Sequence, residues 1–235
     1  MNKVITLIKS SGVSRDEFRN YWKESWLPSL LAIPDARENL VRIDYNHVIP
    51  AQVRAGEALA SDHWVGVAEF WFYDRPSTER FLSSKAVDQL FKSHSNVIAE
   101  VVHLHVYEFG GWDRGSQEFV MKMMAFIPPK LGTSRAECQD YWKDRHVQKT
   151  ARLGMSQKLS KYYQNHTVAE HRITDFNYDF AGVAEMWFEN MADAESIFSD
   201  EALLQELKLD EAKFSDPERA MMLMLEEETV YVTNQ

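Results

Sequence analysis

Apolar positions along this chain alternate between a period of two and a period near 3.6, and the order of these patterns is repeated. Val4 to Ile8 is short, apolar and partly β-branched, which predicts a strand. Ser14-Arg15-Asp16-Glu17 follows with capping-box spacing: a Ser hydroxyl for the amide three residues on, and a Glu carboxylate to reach back. A helix therefore starts there, with Phe18, Tyr21, Trp22 and Trp26 at helical spacing, and Pro28 is expected to end or kink it. Val41 to Val48 alternates as a second strand, and Trp64 to Phe72 reads as a third. Ser77 through Phe91 predicts a second helix, and Ile98 to Phe109 a fourth strand. Pro50 to Ser61, rich in Ala with Pro, Gly and Gln, reads as a surface excursion.

The same order then recurs. Gly66 to Phe72 (GVAEFWF) and Gly182 to Phe188 (GVAEMWF) agree at six of seven positions at an offset of 116. Val120 to Ile127 repeats the first strand, and Ser134-Arg135-Ala136-Glu137 repeats the capping box at an offset of 120. Tyr141-Trp142-Lys143 answers Tyr21-Trp22-Lys23 at 120, and Asn165-His166 answers Asn46-His47 at 119. Ala194 to Leu207 is the second helix and Ala220 to Val232 the closing strand. The offsets drift only between elements, where insertions cost little. A period this long suits two small domains of common origin, 1–115 and 116–235, with Gly110 to Ser116 as linker. Each unit reads β-α-β-β-α-β, the ferredoxin-like order, and leaves one sheet face bare. The expected fold is therefore α+β: two ferredoxin-like repeats packed sheet face to sheet face as an intramolecular dimeric α+β barrel.

Composition narrows the partners. With 235 residues, 45% hydrophobic and 26% charged, the chain has ordinary globular composition. A net charge of -10, with Lys and Arg scattered, argues against nucleic acid or an anionic membrane as partner. No run of eighteen apolar residues and no cleavable leader is apparent, so a cytoplasmic location is expected. The single cysteine, Cys138, excludes an internal disulfide framework and reads as a buried apolar residue. No phosphate-cradling glycine loop, dinucleotide fingerprint or nucleophile elbow is present, and neither cofactor nor metal is expected.

Three features carry a family resemblance: Tyr141-Trp142 followed by His146, the Asn165-His166 pair, and the Gly-Val-Ala-Glu-x-Trp-Phe strand. Together they resemble the EthD family of dimeric α+β barrels in tandem form, over nearly the whole chain. The wider superfamily that this resemblance brings in includes cofactor-free quinone-forming monooxygenases, aromatic polyketide cyclases, dehydratase- or decarboxylase-like enzymes, haem-binding branches and members of no known activity. The first repeat departs from the pattern where His146 is answered by Trp26, so the two pockets cannot share one proton chemistry.

Imidazoles titrating near neutrality suit acid–base work without a cofactor, which makes His166, His146 and His47 the catalytic candidates. Each also has a structural reading, as a hydrogen-bonded strand histidine or a helix-capping one. Tyr141, Trp22, Trp26, Tyr45 and Trp142 are expected to shape a pocket for a planar aromatic ligand. His103, His105 and Tyr107 share one strand face and extend the substrate-binding set; aligning Phe91 with Phe214 puts Glu226 and Glu228 at the places of the two histidines. A His-x-His pair can ligate metal, but no third ligand is evident. Glu69 and Glu185 share a strand face with Trp71 and Trp187, and each needs a partner or a raised pKa.

The expected function is a cofactor-free lyase, of dehydratase or decarboxylase type, acting on a hydrophobic aromatic or phenolic small molecule. The alternatives are a cofactor-independent monooxygenase of phenolic substrates and a non-catalytic ligand-binding barrel. Pairing of the pseudo-dimeric chain into a homodimer is left open.

Overall fold

The computed structural model describes residues 2–49, 64–116, 118–172 and 179–233, and the side chains of all of these except 169–172. The surface excursion expected over Pro50 to Ser61 lies outside the described residues. In chain order the elements are β1 (Asn2–Ser10), α1 (Arg15–Tyr21), a π-helical turn (Trp22–Trp26), α2 (Leu27–Ala32), α3 (Pro34–Arg37), β2 (Leu40–Val48) and β3 (Trp64–Phe72). Then come α4 (Arg75–Ser83), α5 (Lys85–Lys92), β4 (Ile98–Asp113), β5 (Met121–Ile127), α6 (Arg135–Tyr141), a second π-helical turn (Trp142–His146) and α7 (Val147–Arg152). The chain closes with α8 (Met155–Lys158), β6 (Lys161–Arg172), β7 (Gly182–Phe188), α9 (Met191–Phe198), α10 (Glu201–Glu211) and β8 (Met221–Val232).

The eight strands form one closed antiparallel barrel in the order β1-β3-β2-β8-β5-β7-β6-β4. This corrects the expectation of two ferredoxin-like repeats with sheets packed face to face. The halves meet edge to edge instead, with β2 hydrogen-bonded to β8 and β4 to β6. Closure satisfies the backbone groups that two separate sheets would leave open at four edges. The helical layer is also more divided than two helices per repeat. Ser84, extended at φ -68 and ψ 116, splits the helix expected over Ser77 to Phe91. The one expected over Ala194 to Leu207 breaks after Phe198 and restarts where Asp200 caps α10 through the Leu203 amide.

Pro28 does not end the first helix; it occupies the first turn of α2, where its missing N–H costs nothing. The chain turns extended at Ile33, just before Pro34. Both capping boxes form, at Ser14 with Glu17 and at Ser134 with Glu137. Gly110 to Asp113 is not linker but the end of β4, paired with Lys161 to Tyr163 of β6.

Alternation along the strands separates two environments. Ala68, Phe70 and Phe72 face the helices of the first half, as Met121, Met123 and Phe188 face those of the second. Ile5, Leu7, Val67, Leu104, Phe126 and Leu225 fill part of the barrel interior. The rest of the interior is ionic. Lys3 Nζ lies 2.5 Å from Glu69, 2.6 Å from Glu185 and 3.3 Å from Glu108. Lys122 Nζ, 119 positions later, contacts Glu69 closely and lies 2.6 Å from Glu227. Each ammonium also stands 4.6 Å from an indole, Lys3 over Trp71 and Lys122 over Trp187. Each lysine thus reaches a central glutamate of the other half, so the network ties the halves together through the barrel.

The expected partner-or-raised-pKa choice for Glu69 and Glu185 resolves differently at the two positions. Burial acts to raise Glu69, but Lys122 and Lys3 outweigh it and hold the carboxylate well below its usual range. Burial and the neighbouring Glu69 charge push Glu185 up to about 8. Among the described residues its Oε2 has no hydrogen-bond partner.

Candidate functional site

The second half builds its site between the outer barrel face and the helices. Ser134 caps α6, and after the seven residues of that helix the chain widens into the π-helical turn, where the Val147 amide reaches back to the Trp142 carbonyl. Such turns occur often at functional sites. This one directs both Trp142 and His146 into the protein, where both are buried. Gly182 makes the close packing possible, because a Cβ there would run into the Asn165 carbonyl and the Trp142 ring.

From the opposite side α10 supplies Asp210. His146 Nδ1–H donates to Asp210 Oδ2 at 2.9 Å, Tyr141 Oη donates to Oδ1 at 3.0 Å and Lys213 Nζ donates to Oδ1 at 2.8 Å. Phe214 packs against both rings, stacked on Tyr141 at 5.4 Å and tilted to His146 at 5.0 Å. Burial lowers the His146 pKa, and Asp210 only partly offsets it, so the imidazole is neutral. Burial alone would raise Asp210, but Lys213, His146 and Tyr141 keep it below its ordinary value. A carboxylate on Nδ1–H fixes the tautomer that leaves a lone pair on Nε2, and Nε2 has no hydrogen-bond partner among the described residues.

A second hydrogen-bonded set braces the turn. Gln164 Nε2 donates to the Trp142 carbonyl at 3.1 Å and to Tyr162 Oη at 3.2 Å. Trp142 Nε1 donates to the same Oη at 2.8 Å. His166 Nε2–H donates to Gln164 Oε1 at 3.0 Å, and its ring stacks on Trp142 at 5.0 Å with Phe109 at 4.7 Å. Burial, reinforced by Lys143, takes the His166 pKa down to about 4. His166 thus reaches the expected neighbourhood of Trp142, but there it holds Gln164 and, through it, the π-helical turn. Glu211 follows Asp210, and burial aided by the Asp210 charge pushes its carboxyl up to about 7.

The first half answers each of these positions with apolar bulk. Trp22 and Trp26 stack at 3.9 Å, Trp22 and Tyr45 at 4.6 Å, and Phe91 closes on Trp26 at 4.8 Å. All three of Trp22, Trp26 and Tyr45 are buried, so they pack on one another where a pocket wall was expected. Trp26 stands for His146, Ile43 for Tyr162, Tyr45 for Gln164 and Val87 for Asp210. Trp22 Nε1, Trp26 Nε1, Tyr45 Oη and Tyr21 Oη are buried without a hydrogen-bond partner among the described residues.

His47 is not brought to the His146 pair. It lies edge-on to Tyr45 at 4.2 Å with Nε2 3.3 Å from Glu228. His103 bonds Thr6 Oγ1 at 2.6 Å and packs on Phe91, within the first half's core. His105 is buried on the same strand, and burial followed by the Arg75 charge lowers its pKa. Tyr107 pairs with His166 across the β4–β6 seam but is 52% exposed. The seams also correct one alignment: β2 pairs His47 with Glu226 as β6 pairs His166 with Tyr107, so Glu226 corresponds to Tyr107 and not to His103. Among the described residues no group of three or more His, Cys, Asp or Glu is placed to hold a metal ion. Burial pushes the Cys138 thiol up to about 12, which leaves it inert.

Sequence reasoning missed Asp210, Tyr162, Gln164 and Glu211. A signal existed for the first three, each being a polar residue in the second repeat at the place of an apolar or aromatic one in the first.

Residues 130–218 match the family model of the EthD domain. No curated protein matches the chain in sequence. Among solved structures, an anthrone oxidase-like protein superposes with a TM-score of 0.65 at 8% identity, over 97% of this chain and 93% of its own. A candidate monooxygenase from Fusobacterium nucleatum does so at 0.52 and 6% identity, over 100% and 94%. A chlorite dismutase variant from Candidatus Nitrospira defluvii gives 0.51 at 12% identity, over 95% and 91%. At these identities the likeness concerns the fold alone. Among the described residues no helix is long and apolar enough to cross a membrane.

Proposed function

We propose that this chain, whose residues 130–218 are an EthD domain, is an enzyme that moves protons on a hydrophobic aromatic or phenolic small molecule without an organic cofactor. The chemistry belongs to the second of two units, 116–235, and the first, 1–115, serves as its structural counterpart. The observation that carries this reading is the buried His146–Asp210 pair. Nε2 of a neutral imidazole takes a proton from a phenol or an acidic C–H, and Asp210 stabilises the imidazolium that forms; a positioned base of this kind contributes about 10²- to 10⁴-fold.

The finer reading is a lyase, eliminating water or releasing carbon dioxide after ring protonation. Such reactions need an acid as well as a base in a dry space. Glu211, which holds its proton close to neutrality beside Asp210, supports that reading. A second reading, in which the deprotonated substrate reacts with oxygen directly, is supported by the fold shared with the anthrone oxidase-like protein.

The test is turnover of a panel of phenols in air and under anaerobic conditions, with His146→Asn beside the parent. A lyase continues without oxygen and an oxygenase stops; in both cases the variant loses about 100-fold or more. Equal rates for variant and parent would remove His146 as the base. Binding of phenols with no turnover by the parent would instead support a ligand carrier.

A further inference from the structure

Tyr162 is buried on β6 facing the π-helical turn, and its hydroxyl is unusually constrained. The Gln164 amide is oriented by donating to the Trp142 carbonyl, so the nitrogen that meets Tyr162 Oη also donates to it. Trp142 Nε1 is a donor only. Both lone pairs of Tyr162 Oη are therefore occupied, and its proton has no acceptor among the described residues. The ring is fixed from the barrel side as well, lying 4.8 Å from Trp112 and in the space that a Cβ at Gly111 would enter. Burial pushes the phenol up to about 12, so it keeps its proton over the physiological range.

Tyr162 also belongs to the site by position. The π-helical turn carries both contacts: Trp142 at its start donates to Tyr162 Oη, and His146 at its end donates to Asp210. In the first half, where Trp26 and Val87 replace His146 and Asp210, the residue at this position is Ile43. The phenol is present where the imidazole pair is present and absent where it is absent.

We propose that Tyr162 is a catalytic residue, its hydroxyl donating a hydrogen bond to the substrate oxygen on which negative charge develops as His146 removes the proton. The inference rests on the acid–base reading above and adds the class of atom the site must recognise, a phenolate or enolate oxygen. Two accepted hydrogen bonds polarise the O–H toward donation, and the fixed ring costs no reorganisation when charge appears.

The experiment uses the full chain and 4-nitrophenol, whose phenolate is read by its visible absorbance. Affinity and the apparent pKa of the bound probe are measured for the parent, Tyr162→Phe and His146→Asn, each with a melting curve. The parent is expected to bind phenolate and lower the probe's pKa. Tyr162→Phe should weaken phenolate binding about 10- to 100-fold while leaving the neutral phenol's affinity nearly unchanged. Phenolate binding by Tyr162→Phe equal to the parent's overturns the proposal, and failure of the parent to bind the probe also counts against it. Ionisation unchanged by His146→Asn but changed by Tyr162→Phe overturns the base assignment alone. Because Phe strips Trp142 and Gln164 of an acceptor, 3,5-difluorotyrosine at position 162 is the second variant. It keeps both accepted bonds and is a stronger donor, so phenolate should bind more tightly; unchanged binding overturns the proposal.

Discussion

Asp210 stands in the last turn of α10, where the helix dipole disfavours a negative charge, and it is buried there. Three donors hold it ionised, and the one it orients in return is His146. Asp210→Asn should therefore cost more than a surface carboxylate change, because an amide in its place leaves the imidazole free to adopt either tautomer. We expect turnover to fall about 100-fold or more with little change in KM. The pH dependence has a definite sign. The base works as the neutral form and its pKa is lowered by burial, so activity should be lost as pH falls through a value below the usual 6.5. Asp210 raises that value, so the acid limb should move to lower pH in Asp210→Asn. A kcat/KM profile of both proteins checks the direction.

Of these residues, His146 was legible in the sequence because its counterpart is Trp26, an exchange too large to be drift at a packed position. Asp210 was not, because it lies in the run ELKLDE, where acidic residues read as a solvated helix face. Lys3 and Lys122 were missed for a related reason. A lone lysine in a short strand reads as outward-pointing, and only barrel closure places it against glutamates from other strands.

At the scale of elements, the two π-helical turns are alike in backbone and opposite in content. Trp142 Nε1 has Tyr162 as acceptor, and Trp22 Nε1 is buried with none among the described residues. Trp22→Phe removes an unsatisfied donor while losing ring volume, whereas Trp142→Phe breaks a made bond beside the site. Urea titration should therefore show Trp142→Phe as the more destabilising by about 1–3 kcal/mol, and only it should reduce turnover. The motif glycine is explained at this scale too. Gly182→Ala forces a methyl group onto a backbone carbonyl that cannot yield as a side-chain end can, and the expected cost is about 1–3 kcal/mol. The strands and both caps were readable from periodicity and spacing. The division of each expected long helix was not, because Ser84 and Asp200, where the helices break, sit within otherwise helical periodicity.

For the whole molecule, the interior network decides how stability responds to pH. Glu185 titrates at about 8 in the folded chain against an ordinary value of 4.5, so it takes up protons on folding. Its contribution is fully present below about 4.5 and is lost as pH rises through about 8. Glu69, held low, has the opposite sign and loses its contribution only in acid. Glu185→Gln, which keeps a neutral side chain there, should gain stability relative to the parent from pH 5 up to about pH 8 and level off above it. A constant difference between pH 5 and pH 8 would contradict the raised pKa of Glu185. Lys3→Met removes one of the two ammonium groups that compensate Glu69 and Glu185, and should cost about 3–5 kcal/mol by urea titration.

The most direct measurement is a crystal structure of the full chain with 4-nitrophenol bound. A shared role for His146 and Tyr162 places the probe between α10 and the outer face of β6, its oxygen within hydrogen-bond reach of both His146 Nε2 and Tyr162 Oη. A probe seated instead among Trp22, Trp26 and Tyr45, or inside the barrel, with His146 left untouched, would contradict it.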